Sequence, residues 1–210
     1  MRARIFLADD HSLLLDAFSK LLETKYEIVG TATDGRMMLK MVTKLAPDLV
    51  LMDIAMPNLN GFDAGEKLKK ILPDTKLVFL TVNEDPDMVA EALRIGASGY
   101  LLKSSASSEL FQAIDAVLNS KNYVSPQLAE SMADAQIKNP GTHKVHGELS
   151  IRQREVLQLL AEGNTMKQVA AVLNITPRTV AFHKYQIMET LDVKTNSELI
   201  QYAVKHGIVS

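Results

Sequence analysis

Five short apolar runs, at residues 4–8, 27–31, 49–52, 76–80 and 99–102, recur through the first half of the chain, and each is followed by an amphipathic stretch. The runs are rich in Val, Ile, Leu and Phe and bounded by charged or turn residues, as strands are. Helical spacing of apolar residues is expected near 12–23, 35–45, 61–71, 86–95 and 107–119. Strands that alternate with helices cannot be joined by tight turns, so they must lie parallel with crossover helices on both faces. The pattern predicts an α/β, doubly wound, five-stranded parallel sheet. Leu49-Val50-Leu51-Met52 shows no polar alternation and is expected at the centre, buried on both sides.

Strand signals stop near residue 120. Pro126, Pro140, Gly141 and Gly147 punctuate the next stretch, where a short helix at 126–136 precedes a tether. We therefore divide the chain into a first domain at 1–122, a linker at 123–147 and a second domain at 148–210. The last part is entirely helical. Ser150 with Gln153, and Thr165 with Gln168, form capping-box pairs, and Thr176-Pro177 places proline at a first helical position. Four helices are expected, near 150–162, 165–173, 177–191 and 197–206. The first 122 residues carry 14 basic and 17 acidic side chains, and the remaining 88 carry 9 and 8, a mild asymmetry consistent with different partners for the two halves.

Cysteine is absent, which excludes disulfide scaffolds, zinc ribbons and thiol catalysis. No apolar run approaches the roughly 18 residues that span a bilayer. Asp9-Asp10 arrives too early for a secretory leader, so the expectation is a soluble cytoplasmic protein with no membrane partner.

Ligands of open α/β sheets bind beyond the carboxyl ends of the strands. Those ends hold Asp9-Asp10, Asp53, Thr81 and Lys103. Three carboxylates in one crevice repel one another unless a cation joins them, and an all-oxygen ligand set suits Mg²⁺. A hydroxyl and an ammonium facing the same cluster complete a phosphoryl site, in which an aspartate serves as acceptor. Singly, each residue could be a turn acid, a packing threonine or a surface lysine; their joint placement carries the functional reading.

Residues 4–119 resemble a response-regulator receiver domain. The acid pair Asp9-Asp10, the run Asp53-Ile54-Ala55-Met56-Pro57 with Gly61 beyond it, Thr81, Tyr100 and Lys103 fall at the family's positions and in its order. The resemblance implies that Asp53 is phosphorylated, by a sensor histidine kinase or a small phosphodonor. It implies Mg²⁺ on Asp10, Asp53 and the Ala55 backbone carbonyl, with Asp9 supporting. Lys103 and Thr81 would hold the phosphoryl group, while Tyr100 would turn from exposed to buried and report to the face of the fourth helix, fifth strand and fifth helix. Ala55 and Asn83, two residues beyond Asp53 and Thr81, resemble positions that set the phosphoryl lifetime.

In the second half, Thr165–Leu173, Asn174-Ile175 and the helix from Thr176 read as helix, turn and helix. Val169, Ala170, Leu173, Ile175, Val180, Ile187 and Leu191 are the expected core. Residues 149–209 resemble the LuxR-type helix-turn-helix of NarL/FixJ-class regulators, through Leu149-Ser150, Arg152, Arg154-Glu155-Val156-Leu157, Leu160-Ala161-Glu162-Gly163, Lys167, Val169-Ala170, Thr179-Val180, His183 and Tyr202-Ala203. The implied double-stranded DNA contacts are Lys167, Arg178, Thr179, Ala181, Phe182, His183, Lys184 and Tyr185. Three family positions that are usually polar or cationic hold Met166, Ala181 and Asn196 here, so a single subunit should bind weakly and an active homodimer is expected. Phe182 and Tyr185 either meet thymine methyls or pack against the first domain or a second copy. His183 is read both as a structural histidine and as a phosphate contact.

The reading is a phosphorylation-controlled DNA-binding regulator without turnover of an outside substrate. Its rivals are a constitutive dimer indifferent to phosphate, a Mg²⁺-dependent phosphohydrolase, and a protein-binding module that no longer engages DNA.

Overall fold

A computed structural model describes residues 2–82, 84–130 and 149–209. In chain order the first part runs β1 (Arg4–Ala8), α1 (Ser12–Leu22), β2 (Glu27–Ala32), α2 (Gly35–Leu45), β3 (Leu49–Asp53), α3 (Gly61–Ile71), β4 (Lys76–Thr81), α4 (Pro86–Arg94), β5 (Gly99–Leu102), α5 (Ala106–Leu118) and β6 (Tyr123–Val124). All strands pair in parallel in the order β2-β1-β3-β4-β5-β6, which puts β3 and its terminal Asp53 inside the sheet.

Strand periodicity divides the apolar residues between two cores. Phe6, Val50, Met52, Phe79 and Tyr100 face one side, under α2, α3 and α4. Ile5, Leu7, Leu49, Leu51, Val78 and Leu80 face the other, under α1 and α5. Successive side chains of a strand point to opposite faces, so an uninterrupted apolar run is what a doubly covered strand requires. Each fully buried large aliphatic side chain contributes about 1.5–3 kcal/mol.

The expected linker begins with one departure from its pattern. Tyr123–Val124 pairs with β5 as a sixth strand, anchored by the Tyr123 amide on the Ser98 carbonyl and the Ser125 amide on the Tyr100 carbonyl. Two residues are too few to show a period. Residues 126–130 are helical, and Leu128 is buried in the first core; the rest of the expected helix and tether lies outside the described residues.

The second part is α6 (Ile151–Ala161), α7 (Met166–Leu173), α8 (Pro177–Thr190) and α9 (Asn196–Lys205). Both anticipated capping boxes form, and Thr195 with Glu198 adds a third at α9. Asn174 turns the chain between α7 and α8 in the left-handed region, at φ 52°. Val169, Ala170, Leu173, Val180 and Ile187 are buried as expected, whereas Ile175 and Leu191 pack at the margin of that core.

Helix α6 docks on the first domain at α2, α3 and the loop preceding α3. The Arg154 Nε is 2.6 Å from Asp63 Oδ1, and Arg154 Nη2 is 3.1 Å from Glu66 Oε2. Glu155 accepts from Arg36 at 3.0 Å, Lys67 at 2.7 Å and Arg152 at 3.0 Å. Gln158 donates to the Met56 carbonyl at 2.8 Å and accepts from the Asn60 amide at 2.8 Å. Burial pushes the Asp63 carboxyl above the usual carboxylate range even against the pull of Arg154. Burial acts the same way on Glu155, but its three cations outweigh it and hold that carboxyl below the ordinary value.

Candidate functional site

The carboxyl edge of the sheet gathers the residues expected there. Asp9 follows β1, Asp53 ends β3, Thr81 ends β4 and Lys103 follows β5. The Lys103 ammonium sits 2.8 Å from Asp9 Oδ2 and 2.8 Å from Asp53 Oδ2, bridging two nearly inaccessible carboxylates. The other Asp53 oxygen accepts from the Ile54 amide at 2.7 Å. Gly61 makes this corner possible: the chain returns so closely that a Cβ there would overlap the Asp53 carbonyl oxygen. Asn60 then caps α3 by accepting from the Asp63 amide at 3.0 Å.

Charge at the site is unbalanced. Asp9, Asp10, His11 and Asp53 each present a ligating atom within 4.8 Å of the others, and Lys103 alone among the strand-end residues offsets three carboxylates. Burial raises the Asp53 pKa, Lys103 pulls it down, and the negative charge of Asp9 pushes it up again. Burial would lower the Lys103 pKa, but its bonds to Asp53 and Asp9 prevail and hold it above the usual lysine value. An acidic cluster with excess negative charge is compatible with a hard divalent cation. His11 was not anticipated; its Nδ1 lies 3.1 Å from Asp9 Oδ1 and 2.8 Å from Asp10 Oδ1, a placement visible only in its adjacency to the acid pair.

Thr81 is buried at the end of β4, the strand that neighbours β3 and its terminal Asp53. Tyr100 departs from expectation: its side chain is fully buried in this structure and meets Phe79 edge-on at 6.5 Å between ring centroids. The exposed starting position foreseen for it is therefore not the one adopted here, because the ring fills the core over β4 and β5. Burial pushes its hydroxyl pKa above the ordinary tyrosine range, with Thr81 opposing. Ala55 is half-buried in the loop between β3 and α3; Asn83 lies outside the described residues.

On α8, Arg178, Phe182 and Tyr185 are exposed, and Thr179, Ala181, His183 and Lys184 are half-buried; Lys167 on α7 is exposed. Phe182 and Tyr185 retain 59% and 69% of their exposure, so packing against the first domain does not explain them. His183 Nδ1 is buried and, among the described residues, has no hydrogen-bond partner.

Comparison with known proteins agrees with this fold. Residues 5–115 match the response regulator receiver domain, and residues 147–203 match the bacterial regulatory proteins of the luxR family. The oxygen regulatory protein NreC of Staphylococcus carnosus is 34% identical over 214 residues, covering 98% of this chain and 99% of NreC. The response regulator UvrY of Escherichia coli is 31% identical over 206 residues, covering 97% and 94%. A structure of RcsB from Salmonella enterica serovar Typhimurium, bound to a promoter in the presence of the phosphomimetic BeF3−, superposes with a TM-score of 0.64 at 25% identity, covering 96% of this chain and 98% of that one. The chain belongs to the two-component response regulators of the NarL/FixJ class, joining a receiver domain to a luxR-family domain.

Proposed function

We propose that Asp53 accepts a phosphoryl group from a sensor histidine kinase or a small phosphodonor, and that this controls dimerisation and binding of the helical domain to promoter DNA in the cytoplasm. The observation that carries the reading is the bridge of Lys103 between Asp9 and Asp53 at the strand ends, with Asp10 and Thr81 beside it. Asp10, Asp53 and the Ala55 carbonyl, with Asp9 supporting, would hold Mg²⁺. When bound, Mg²⁺ neutralises charge on the transferring phosphoryl oxygens. Lys103 shares that task from the end of β5, and the Thr81 hydroxyl donates to a phosphoryl oxygen. Phosphorylation adds about −1.5 to −2 charges, which draws Thr81 and Lys103 toward Asp53 and changes the packing against Tyr100. Ala55 and Asn83 set how water reaches the phosphoryl group. Asp53 acts as a stoichiometric acceptor rather than in turnover of an outside substrate.

The exposed face of α8 enters the major groove. Lys167, Arg178 and Lys184 serve phosphates, and Phe182 and Tyr185 meet thymine methyls, with Thr179, Ala181 and His183 alongside. Weak charge on one subunit makes a homodimer the binding form.

The test measures DNA binding and molecular mass with and without beryllofluoride, for the wild type and Asp53→Ala. Beryllofluoride should raise both dimer content and DNA affinity in the wild type and leave Asp53→Ala unchanged. An equal response of the two proteins, or none in the wild type, overturns the reading.

A further inference from the structure

The helical domain covers the phosphoacceptor from above, through its C-terminal end. A cavity of about 280 Å³ lies between the domains, with Asp53, Thr81 and Lys103 on its floor and Met88, Val204 and Val209 on its walls. A second cavity of about 300 Å³ adjoins Asp10 and Ala55 and shares Val204 and Val209. These two valines therefore line both cavities, one over the buried Asp53 and one beside the exposed Asp10. Gly207 lies against Met88 of the first domain. At φ 63° it adopts a backbone conformation that side chains disfavour, and a Cβ there would overlap the Met88 methyl on α4. The roof is not sealed, since Val204 remains 53% exposed.

Size decides what can react under this roof. A volume of about 280 Å³ holds roughly nine waters at ~30 Å³ each, room for a small acyl phosphate. Transfer needs the donor's leaving group in line with the attacking Asp53 oxygen. From an acyl phosphate, the Asp53 oxygen bonds to phosphorus as the P–O bond to the acyl group breaks, and the electron pair leaves on a carboxylate. From phosphohistidine, the P–N bond breaks and the ring leaves as neutral imidazole once its other nitrogen carries a proton. The second donor is fixed to a protein surface, which must descend into the space that Val204, Gly207 and Val209 fill.

We propose that the segment from Val204 to Val209 is a size gate over Asp53. With the domains docked through Arg154, Glu155 and Gln158, it admits small acyl phosphates and excludes bulky donors, which react only after undocking. The proposal rests on Asp53 being the phosphoacceptor. It differs from a block on DNA access, because the groove-facing side of α8 is exposed in the docked arrangement.

The experiment follows phosphorylation of the full chain by intact mass, using acetyl phosphate and 2-naphthoyl phosphate, which share their leaving-group chemistry and differ in bulk. The variants are Gly207→Leu, which forces the roof from Met88, and Arg154→Ala, which releases the dock from its other end. Small-angle scattering verifies that each variant folds and opens. The wild type should prefer acetyl phosphate. Both variants should accelerate the naphthoyl donor by at least about tenfold, since an open form that is rare in the wild type becomes dominant, while the acetyl rate stays within about twofold. If the opened variants keep the wild-type ratio of the two rates, the gate is overturned while Asp53 remains the acceptor. If neither donor modifies the wild type at Asp53, the phosphoacceptor reading fails and the gate with it.

Discussion

Arg154 of the helical domain places its Nε 2.6 Å from Asp63 of the receiver, and neither side chain is more than 8% exposed. A buried ion pair contributes little over an apolar pair of the same shape, but removing one partner strands the other charge. Arg154→Ala should therefore weaken docking by about 3–5 kcal/mol. Combining it with Asp63→Asn should cost less than the sum of the two changes, as a double-mutant cycle of thermal unfolding and scattering can read.

Glu155 gives the docked form an acid limb. Burial alone would raise its pKa, but Lys67, Arg152 and Arg36 bring the folded value below the ordinary one. A depressed folded pKa contributes stability that is complete above the unfolded glutamate value and lost as pH falls through the folded value. Unfolding midpoints of the wild type should drop across that acidic window, and Glu155→Gln should show a shallower drop from a lower plateau at neutral pH.

Gly61 lets the chain pass over the Asp53 carbonyl. Gly61→Ala should cost about 1–3 kcal/mol as an overpacked site, and it should reduce phosphorylation of Asp53 more than a core substitution of equal destabilisation elsewhere. Denaturant unfolding with intact-mass phosphorylation separates the two effects.

Divalent cation should stabilise the receiver by mass action. At a Mg²⁺ concentration a hundredfold above its Kd, the gain is about 2.7 kcal/mol, removed by EDTA. Lys103→Ala leaves Asp9 and Asp53 without their ammonium, so the Mg²⁺-dependent rise in Tm should be larger than in the wild type. A smaller rise would show that Lys103 is not a competing cation at the site.

The proposed groove contacts separate Phe182 from Arg178. Phe182→Ala should lower affinity for a target sequence by about 1–3 kcal/mol and leave random DNA unaffected. Arg178→Ala should weaken both and reduce the slope of log affinity against log salt by about one. Filter binding across a salt series distinguishes these outcomes.

The sheet was legible because burial on two faces leaves an unmistakable trace: Leu49 to Met52 is apolar throughout and ends on Asp53, and the strand-end acids, Thr81 and Lys103 lie where parallel topology puts them. Helix starts were legible because Ser150, Thr165 and Thr176 cap by local hydrogen bonds. The dock was not. Arg154, Glu155 and Gln158 sit on a helix of polar and apolar residues whose partners are about 90–120 positions away, and no local pattern records a contact at that separation. Tyr100 escaped for a related reason, since an aromatic at a strand position fits either orientation until the packing of Phe79 is known. The two-residue β6 was too short to carry a period.

Because Phe182 and Tyr185 stand clear of the receiver, the docked arrangement leaves the outer face of α8 open to solvent. If that face meets DNA as proposed, the two domains need not part to uncover it.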